Sequence, residues 1–178
     1  VLARQLLERG DSVLGVDCFL DSYPRAIKEN RLKALLSHSD FRFVEGDLVD
    51  MDLVEVVKKA DCVFHFSAQA GVRSSWGSRF EVYTNSNILS TQRLLEAVKD
   101  NGIRRFVYSS SSSVYGEANI MPTPEDAPLN PISPYAVSKL AGEHLCHLYR
   151  INYAVPTVVL RYFTVYGPKP RPDQAVCI

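Results

Sequence analysis

The chain has 178 residues, with 20 Lys+Arg set against 20 Asp+Glu and a formal net charge of zero. That balance gives no reason to expect nucleic acid or an anionic membrane as partner. No apolar run approaches the roughly 20 residues that span a bilayer, and no signal peptide is recognisable, so a cytoplasmic protein is expected. Hydrophobic residues at 46% and charged residues at 22% fit one large globular domain with a real core.

In chain order, residues 1–10 read as a helix stopped by Gly10. A short apolar strand over 12–16 ends at Asp17. Ile27, Leu32, Leu35 and Leu36 have helical spacing over 25–36. Residues 41–45 alternate as a strand and run into Gly46-Asp47-Leu48. A helix follows over 51–60, then a strand of the fully buried type over 62–66 and a long helix over 80–100. The last elements are a strand over 105–109, a long helix over 134–152 and a strand over 157–161. Apolar strands alternating with helices predict an α/β fold, a doubly wound parallel sheet covered on both faces. Ligands of such sheets sit beyond the carboxyl ends of the strands. Asp17, Asp47, the 67–73 turn, the serine run and the segment after Arg161 all fall there.

The four cysteines, Cys18, Cys62, Cys146 and Cys177, contain no CxxC pair, which points to reduced thiols rather than a zinc or redox site. A secreted domain with two disulfides is the alternative. His65 lies within a buried strand and reads as a core residue. His144 and His147 stand one helical turn apart without a third ligand, so no metal is expected.

The densest chemistry is Tyr135-Ala136-Val137-Ser138-Lys139. Four residues apart on a helix is one face, so the Lys139 ammonium can lie near the Tyr135 phenol. A free phenol has a pKa of about 10, and a neighbouring cation lowers it toward the range of a useful base. The plain alternative is a Tyr and a Lys on an amphipathic surface helix. Upstream lies Tyr108-Ser109-Ser110-Ser111-Ser112-Ser113-Val114-Tyr115-Gly116, a strand running into serines. A serine there can donate to an oxygen that becomes a carbonyl, or can simply be polar loop.

Together these segments resemble the extended short-chain dehydrogenase/reductase family, closest to its sugar-nucleotide epimerases and dehydratases. The resemblance covers nearly the whole chain. It includes Gly46-Asp47-Leu48, His65-Phe66-Ser67-Ala68-Gln69-Ala70-Gly71-Val72-Arg73, Asn85-Ser86-Asn87 and Leu160-Arg161-Tyr162-Phe163-Thr164-Val165-Tyr166-Gly167-Pro168. It implies NAD as cofactor and a Rossmann-like domain over 1–178, with the substrate-binding part beginning after about residue 165. It implies Tyr135 as catalytic base and acid, Lys139 as its tuner and holder of the nicotinamide ribose, and Ser111, or Ser112, as the hydroxyl partner. Asp17 would accept from the adenosine ribose, an acid that disfavours a 2′-phosphate and hence NADP. Asp47 and Leu48 would flank adenine. Phe66, Ser67, Ala68, Gln69, Asn87, Ser109 and Tyr162 would line the rest of the cofactor site, and Arg73 the substrate side. Asp17 and Asp47 can also be plain turn acids.

The resemblance also places a glycine-rich phosphate turn and a first, central strand ahead of Val1, and a substrate domain after the Pro-rich end. Both ends therefore read as cut, and the chain by itself is expected to bind NAD weakly and to lack activity.

Dehydratases of the family carry acids at the positions of Ser112 and Ser113, which favours epimerisation here. The run Thr164-Val165-Tyr166-Gly167-Pro168-Lys169-Pro170-Arg171-Pro172-Asp173 is similar to that of UDP-glucuronate 4-epimerases. This resemblance implies a UDP-sugar substrate whose carboxylate is held by Thr164 and Arg171. Arg171 can equally be a diphosphate contact or a solvated loop charge. UDP-glucose 4-epimerase, a sugar-nucleotide decarboxylase or dehydratase, and a non-catalytic NAD-binding protein are the alternatives. The helices over 80–100 and 134–152 resemble those of the family's homodimer. Leu94, Leu95, Val98, Leu140, Leu145 and Leu148 are candidates for its face, or for cover of the sheet.

Overall fold

The structure, a computed structural model, describes residues 1–118 and 120–167. It divides into two compact units, one built on Val1–Asp50 and the other on Met51–Val165.

The first unit holds α1 (Leu2–Glu8), β1 (Val13–Asp17), α2 (Arg25–Leu36) and β2 (Phe41–Glu45). β1 and β2 are parallel, in register from Val13↔Phe41 to Asp17↔Glu45. Gly15 allows the pair to close, since a Cβ there would sit 3.0 Å from the Phe41 ring. The helix read from the spacing of Ile27, Leu32, Leu35 and Leu36 is present as α2, and none of its residues is buried. Arg25 instead ties the helix to β2 through a two-point bond to Glu45 at 2.8 and 2.7 Å. Such an exposed pair contributes little stability.

The second unit holds α3 (Leu53–Val57), β3 (Cys62–His65), α4 (Phe80–Tyr83), α5 (Ser90–Val98), β4 (Arg105–Ser111), α6 (Pro134–Tyr153) and β5 (Thr157–Tyr162). Its sheet is parallel, in the order β3-β4-β5. The predicted single sheet is thus present as two, because no strand among the described residues pairs with both β1 and β3.

Side chains alternate across β3 and β4. His65, Phe106, Tyr108 and Ser110 are buried, and His65, Tyr108 and Ser110 bond to the helices over them. On the opposite face Phe64 and Leu160 are 39% and 38% exposed. The sequence predicted a fully buried β3, and that is corrected: Cys62 and Phe64 are exposed.

The predicted helix over 80–100 is broken into α4, a π-helical segment Thr84–Leu89, and α5. Leu94, Leu95 and Val98 are 5%, 0% and 1% exposed and belong to the core, which removes them from any subunit face. α6 begins where Ser133 accepts a bond from the Ala136 amide at 3.1 Å, with Pro134 in the first turn. It ends on the left-handed Ala154 (φ 55°). Its buried residues include Ala136, Ser138, Lys139, Gly142, Glu143, Cys146 and Tyr149, while Val137, Leu148 and Ile151 face outward.

Candidate active site

The carboxyl end of β4 and the inner face of α6 build the site. Tyr135 lies in the first turn of α6, its ring edge-on to Tyr83 at 6.2 Å. One turn on, Lys139 is 3% exposed, and its Nζ sits 4.8 Å from the centre of the Tyr108 ring. Tyr135 also lies within electrostatic reach of the Tyr108 hydroxyl. The phenol and ammonium named from the sequence are therefore gathered on one residue of β4, which the sequence reading did not single out. Tyr108 can press this close because α6 has a glycine there. A Cβ on Gly142 would overlap the Tyr108 phenol oxygen and Cζ. The gap lets Tyr108 donate to the Lys139 carbonyl at 3.3 Å.

Burial sets the charges. Desolvation lowers the Lys139 pKa to about 8, with Cys146 and Glu143 pulling it back up. The same burial pushes the Tyr108 phenol well above its usual value and the Cys146 thiol to about 12. His65, held to about 3 by burial and by Lys139, is a neutral imidazole. The Thr91 hydroxyl donates to the Asn87 carbonyl at 2.6 Å, so its oxygen accepts from His65 Nε2 at 2.9 Å. His65 is thus a satisfied core histidine, as expected.

Ser111 ends β4. Its hydroxyl caps the following turn by accepting from the Ser113 amide at 3.2 Å, and it donates to Ser113 Oγ at 3.1 Å. Ser112 is half-buried in that turn, and Ser109 is half-buried on β4. Beyond β3, Phe66 and Ser67 are exposed, Ala68 is half-buried, and Phe66 approaches the Tyr162 ring at 6.3 Å. Gln69 is buried, its side-chain amide turned back onto the Ala70 carbonyl at 2.9 Å.

Asn87 carries a role different from the one read in the sequence. It is 1% exposed and its amide is fully committed. Its Oδ1 accepts from the Gln69 amide at 2.7 Å, and its Nδ2 donates to the Gln69 carbonyl at 3.1 Å and to Ser138 Oγ at 2.8 Å. Ser138 in turn donates to the Tyr135 carbonyl at 2.7 Å. Asn87 therefore clasps the 66–70 loop to the helix that carries Tyr135, and its side chain has no donor left for a ligand. The π segment that presents it is a local widening common at functional positions, and no sequence period announces one.

In the first unit, Asp17 Oδ1 accepts from the Phe19 amide at 2.7 Å and Asp47 Oδ1 from the Val49 amide at 2.9 Å. Both therefore brace turns, with a second oxygen that bonds to no described residue. Leu48 is buried at 8% exposure. Arg73 and Thr164 are exposed, and Arg171 lies outside the described residues. Among the described residues no group of acids, histidines and cysteines could hold a metal.

A further cluster escaped the sequence reading. Glu143, 7% exposed, accepts from the Ser110 hydroxyl and from Arg161 Nε and Nη2 at 3.0 and 2.8 Å. The signal was present in the helical arithmetic, because Glu143 follows Lys139 at the same interval as Lys139 follows Tyr135.

Residues 1–177 match the family model described as the NAD dependent epimerase/dehydratase family. The chain is 45% identical over 175 residues to YtcB of Bacillus subtilis (strain 168), an uncharacterized UDP-glucose epimerase, covering 98% of this chain and 55% of that protein. It is 38% identical over 175 residues to the UDP-glucuronate 4-epimerase of Thermodesulfobacterium geofontis (strain OPF15), covering 96% and 54%. Among solved structures, the Bacillus cereus UDP-glucuronic acid 4-epimerase in complex with UDP-glucuronic acid and NAD superposes with a TM-score of 0.94 at 44% identity, covering 98% of this chain and 55% of that one. The chain thus spans about half the length of the relatives it matches.

Proposed function

The chain belongs to the NAD dependent epimerase/dehydratase family, and on that premise we propose that it carries the catalytic Ser/Tyr/Lys set of a UDP-glucuronate 4-epimerase. One observation carries the reading. Lys139 is buried at 3% exposure with its Nζ against the Tyr108 ring, one helical turn from Tyr135. Burying a cation is costly, and a ribose hydroxyl pair would offset part of that cost. The site thus fits NAD. Lys139, with Phe66, Ser67, Ala68, Gln69, Ser109 and Tyr162, would hold its nicotinamide half, while Asp17, Asp47 and Leu48 are assigned to adenosine on the resemblance alone. When bound, NAD supplies a reversible hydride acceptor.

Tyr135 removes the proton from the sugar O4 and returns it after the 4-keto sugar has turned over. The Lys139 cation favours the Tyr135 phenolate. Ser111, or Ser112, donates to the same oxygen. Serines rather than acids at 112 and 113 leave no carboxyl group to eliminate water. Arg73, Thr164 and Arg171 are assigned to the substrate side, the last two to its carboxylate. Residues 1–178 are assigned to the cofactor domain, with the substrate-binding part beginning after about residue 165. Cys18, Cys62 and Cys146, all free thiols, support a cytoplasmic protein.

Incubating the full-length protein with UDP-glucuronate and following formation of its 4-epimer by NMR tests the reaction. Turnover of UDP-glucose alone would transfer the assignment to the alternative epimerase. Tyr135→Phe is expected to lower kcat by ~10²–10⁴-fold, and unchanged kcat would remove Tyr135 as the base.

The homodimer is assigned to the outward face of α6. There Val137, Ala141, His144, Leu148 and Ile151 recur every three or four residues, and Val137, Leu148 and Ile151 are 46%, 52% and 65% exposed. Leu148→Glu is expected to halve the mass seen by sedimentation equilibrium. A monomer before substitution, or a dimer after it, would refute this face.

A further inference from the structure

We propose that the Glu143–Arg161 ion pair is a positioning device that clasps the serine-bearing end of β4 to the Tyr135/Lys139 face of α6 and keeps Lys139 charged. The inference rests on the reading of Tyr135 and Lys139 given above.

The geometry comes first. Glu143 receives Arg161 at two points, Nε to Oε1 at 3.0 Å and Nη2 to Oε2 at 2.8 Å, the paired arrangement that fixes both planes. The same carboxylate accepts from Ser110, the neighbour of Ser111, and Ser110 pairs with Arg161 in the β4–β5 ladder. The remaining guanidinium nitrogen, Nη1, donates to the Tyr115 hydroxyl at 2.9 Å and to the Glu125 carbonyl at 2.9 Å. Arg161 also lies 5.0 Å from the centre of the Tyr115 ring, and that ring stacks on Phe163 at 6.4 Å. One ion pair therefore joins α6, β4, β5 and the turn that follows Ser111. A displacement of any of them changes the approach of Ser111 to whatever Tyr135 acts upon.

Stability alone is a poor reason for such a pair. Well-packed apolar residues commonly replace a buried ion pair at no loss of stability. What apolar residues cannot replace is direction and charge.

The charge argument follows from the groups facing Lys139. From its own helix these are Cys146 and Glu143, from β4 Tyr108, and from β3 His65. The phenol of Tyr108, the thiol of Cys146 and the imidazole of His65 are neutral near pH 7. Glu143 is the carboxylate among them, and it opposes the desolvation that drives the ammonium toward its neutral form. Arg161 anchors that carboxylate and offsets part of its field.

Glu143→Gln keeps the shape and removes the charge. With lysine labelled at Cε, NMR is expected to show the Lys139 titration moved down by about one pH unit. In the full-length protein the alkaline limb of the kcat profile should move with it, kcat near neutral pH should fall about tenfold, and KM should stay within about twofold. An unmoved titration and an unmoved limb would overturn the charge role. The NMR arm needs no turnover. Absence of epimerase activity in the unsubstituted protein would therefore count against the functional reading, and an unmoved Lys139 titration against this one. Ser110→Ala removes only the clasp, and Arg161→Lys only the two-point grip. Each is expected to lower kcat several-fold while leaving the Lys139 titration in place. Wild-type kcat in both would overturn the clasp, whether or not Glu143→Gln folds.

Discussion

Gly142→Ala is expected to destabilise the protein by about 2–4 kcal/mol, against the direction that helix propensity alone would give. In an exposed helix interior the same change stabilises by about 1 kcal/mol. Here the added Cβ would overlap the phenol oxygen and Cζ of Tyr108 and sit 3.0 Å from Cε1. Tyr108 is 1% exposed, and Gly142 is buried in α6 against it. The ring has no open side to retreat to, because the neutral His65 ring lies 5.7 Å away and the Lys139 ammonium 4.8 Å away. Overpacking therefore wins over propensity. By thermal unfolding the melting temperature should fall by roughly 5–15 °C. The origin of the loss is checked in a Tyr108→Leu background, where Gly142→Ala should cost far less, a non-additivity reserved for residues in contact. An unchanged or higher melting temperature for Gly142→Ala alone would mean that α6 and β4 are not pressed together at this point. The cation–π contact that locates Lys139 would then lose its support.

The same helix shows how far the sequence could be read. Periodicity located α6, β4 and β5, and the four-residue step from Tyr135 to Lys139 placed both on one face. Extending that step once more reaches Glu143, and a glycine kept inside a long helix is itself a sign of close packing. Both signals were legible, although the partners they meet, Tyr108, Ser110 and Arg161, come from strands 18 to 34 residues away in sequence and no local pattern pairs them. Asn87 was named for its neighbourhood, and its bonds to Gln69 and Ser138 were not foreseen. Its amide bonds depend on a π-helical segment, whose extra residue per turn leaves no trace in the hydrophobic period. α2 was located to the residue. Its leucines have the spacing of a buried face, yet a period reports only which residues share a side, and whether a partner covers that side is a property of the surrounding unit. Of the two roles left open for Leu94, Leu95 and Val98, a subunit face or cover of the sheet, burial favours the second. Leu94, Leu95 and Val98 are as periodic as a subunit interface and are consumed by the core.

Lys139→Met should make the protein more stable while removing the proposed epimerase activity. The buried ammonium has a folded pKa of about 8 against an ordinary value of 10.5. Below pH 8 both folded and unfolded states hold the proton, and the folded state bears the full cost of a desolvated cation, on the order of 3 kcal/mol. Between about 8 and 10.5 the unfolded chain binds the proton that the folded chain has released. Stability therefore rises with pH through that window and is lost again as pH falls back through 8. The cost of the desolvated cation already includes the pull of Cys146 and Glu143, and the contact with the Tyr108 ring offsets part of it. Methionine has similar length, carries no charge and can keep a sulfur against that ring. A gain of about 1–3 kcal/mol at pH 7 is expected, together with disappearance of the stability slope between pH 8 and 10.5. In the full-length protein kcat should fall by ~10²–10⁴-fold, because a neutral neighbour no longer favours the Tyr135 phenolate. Urea unfolding at pH 7 and pH 9.5, set beside turnover, separates the possibilities. A structural lysine would give lower stability on substitution with no special loss of turnover. Higher stability coupled to lost turnover is what a cation held in place for its chemistry, at the expense of the fold, has to produce.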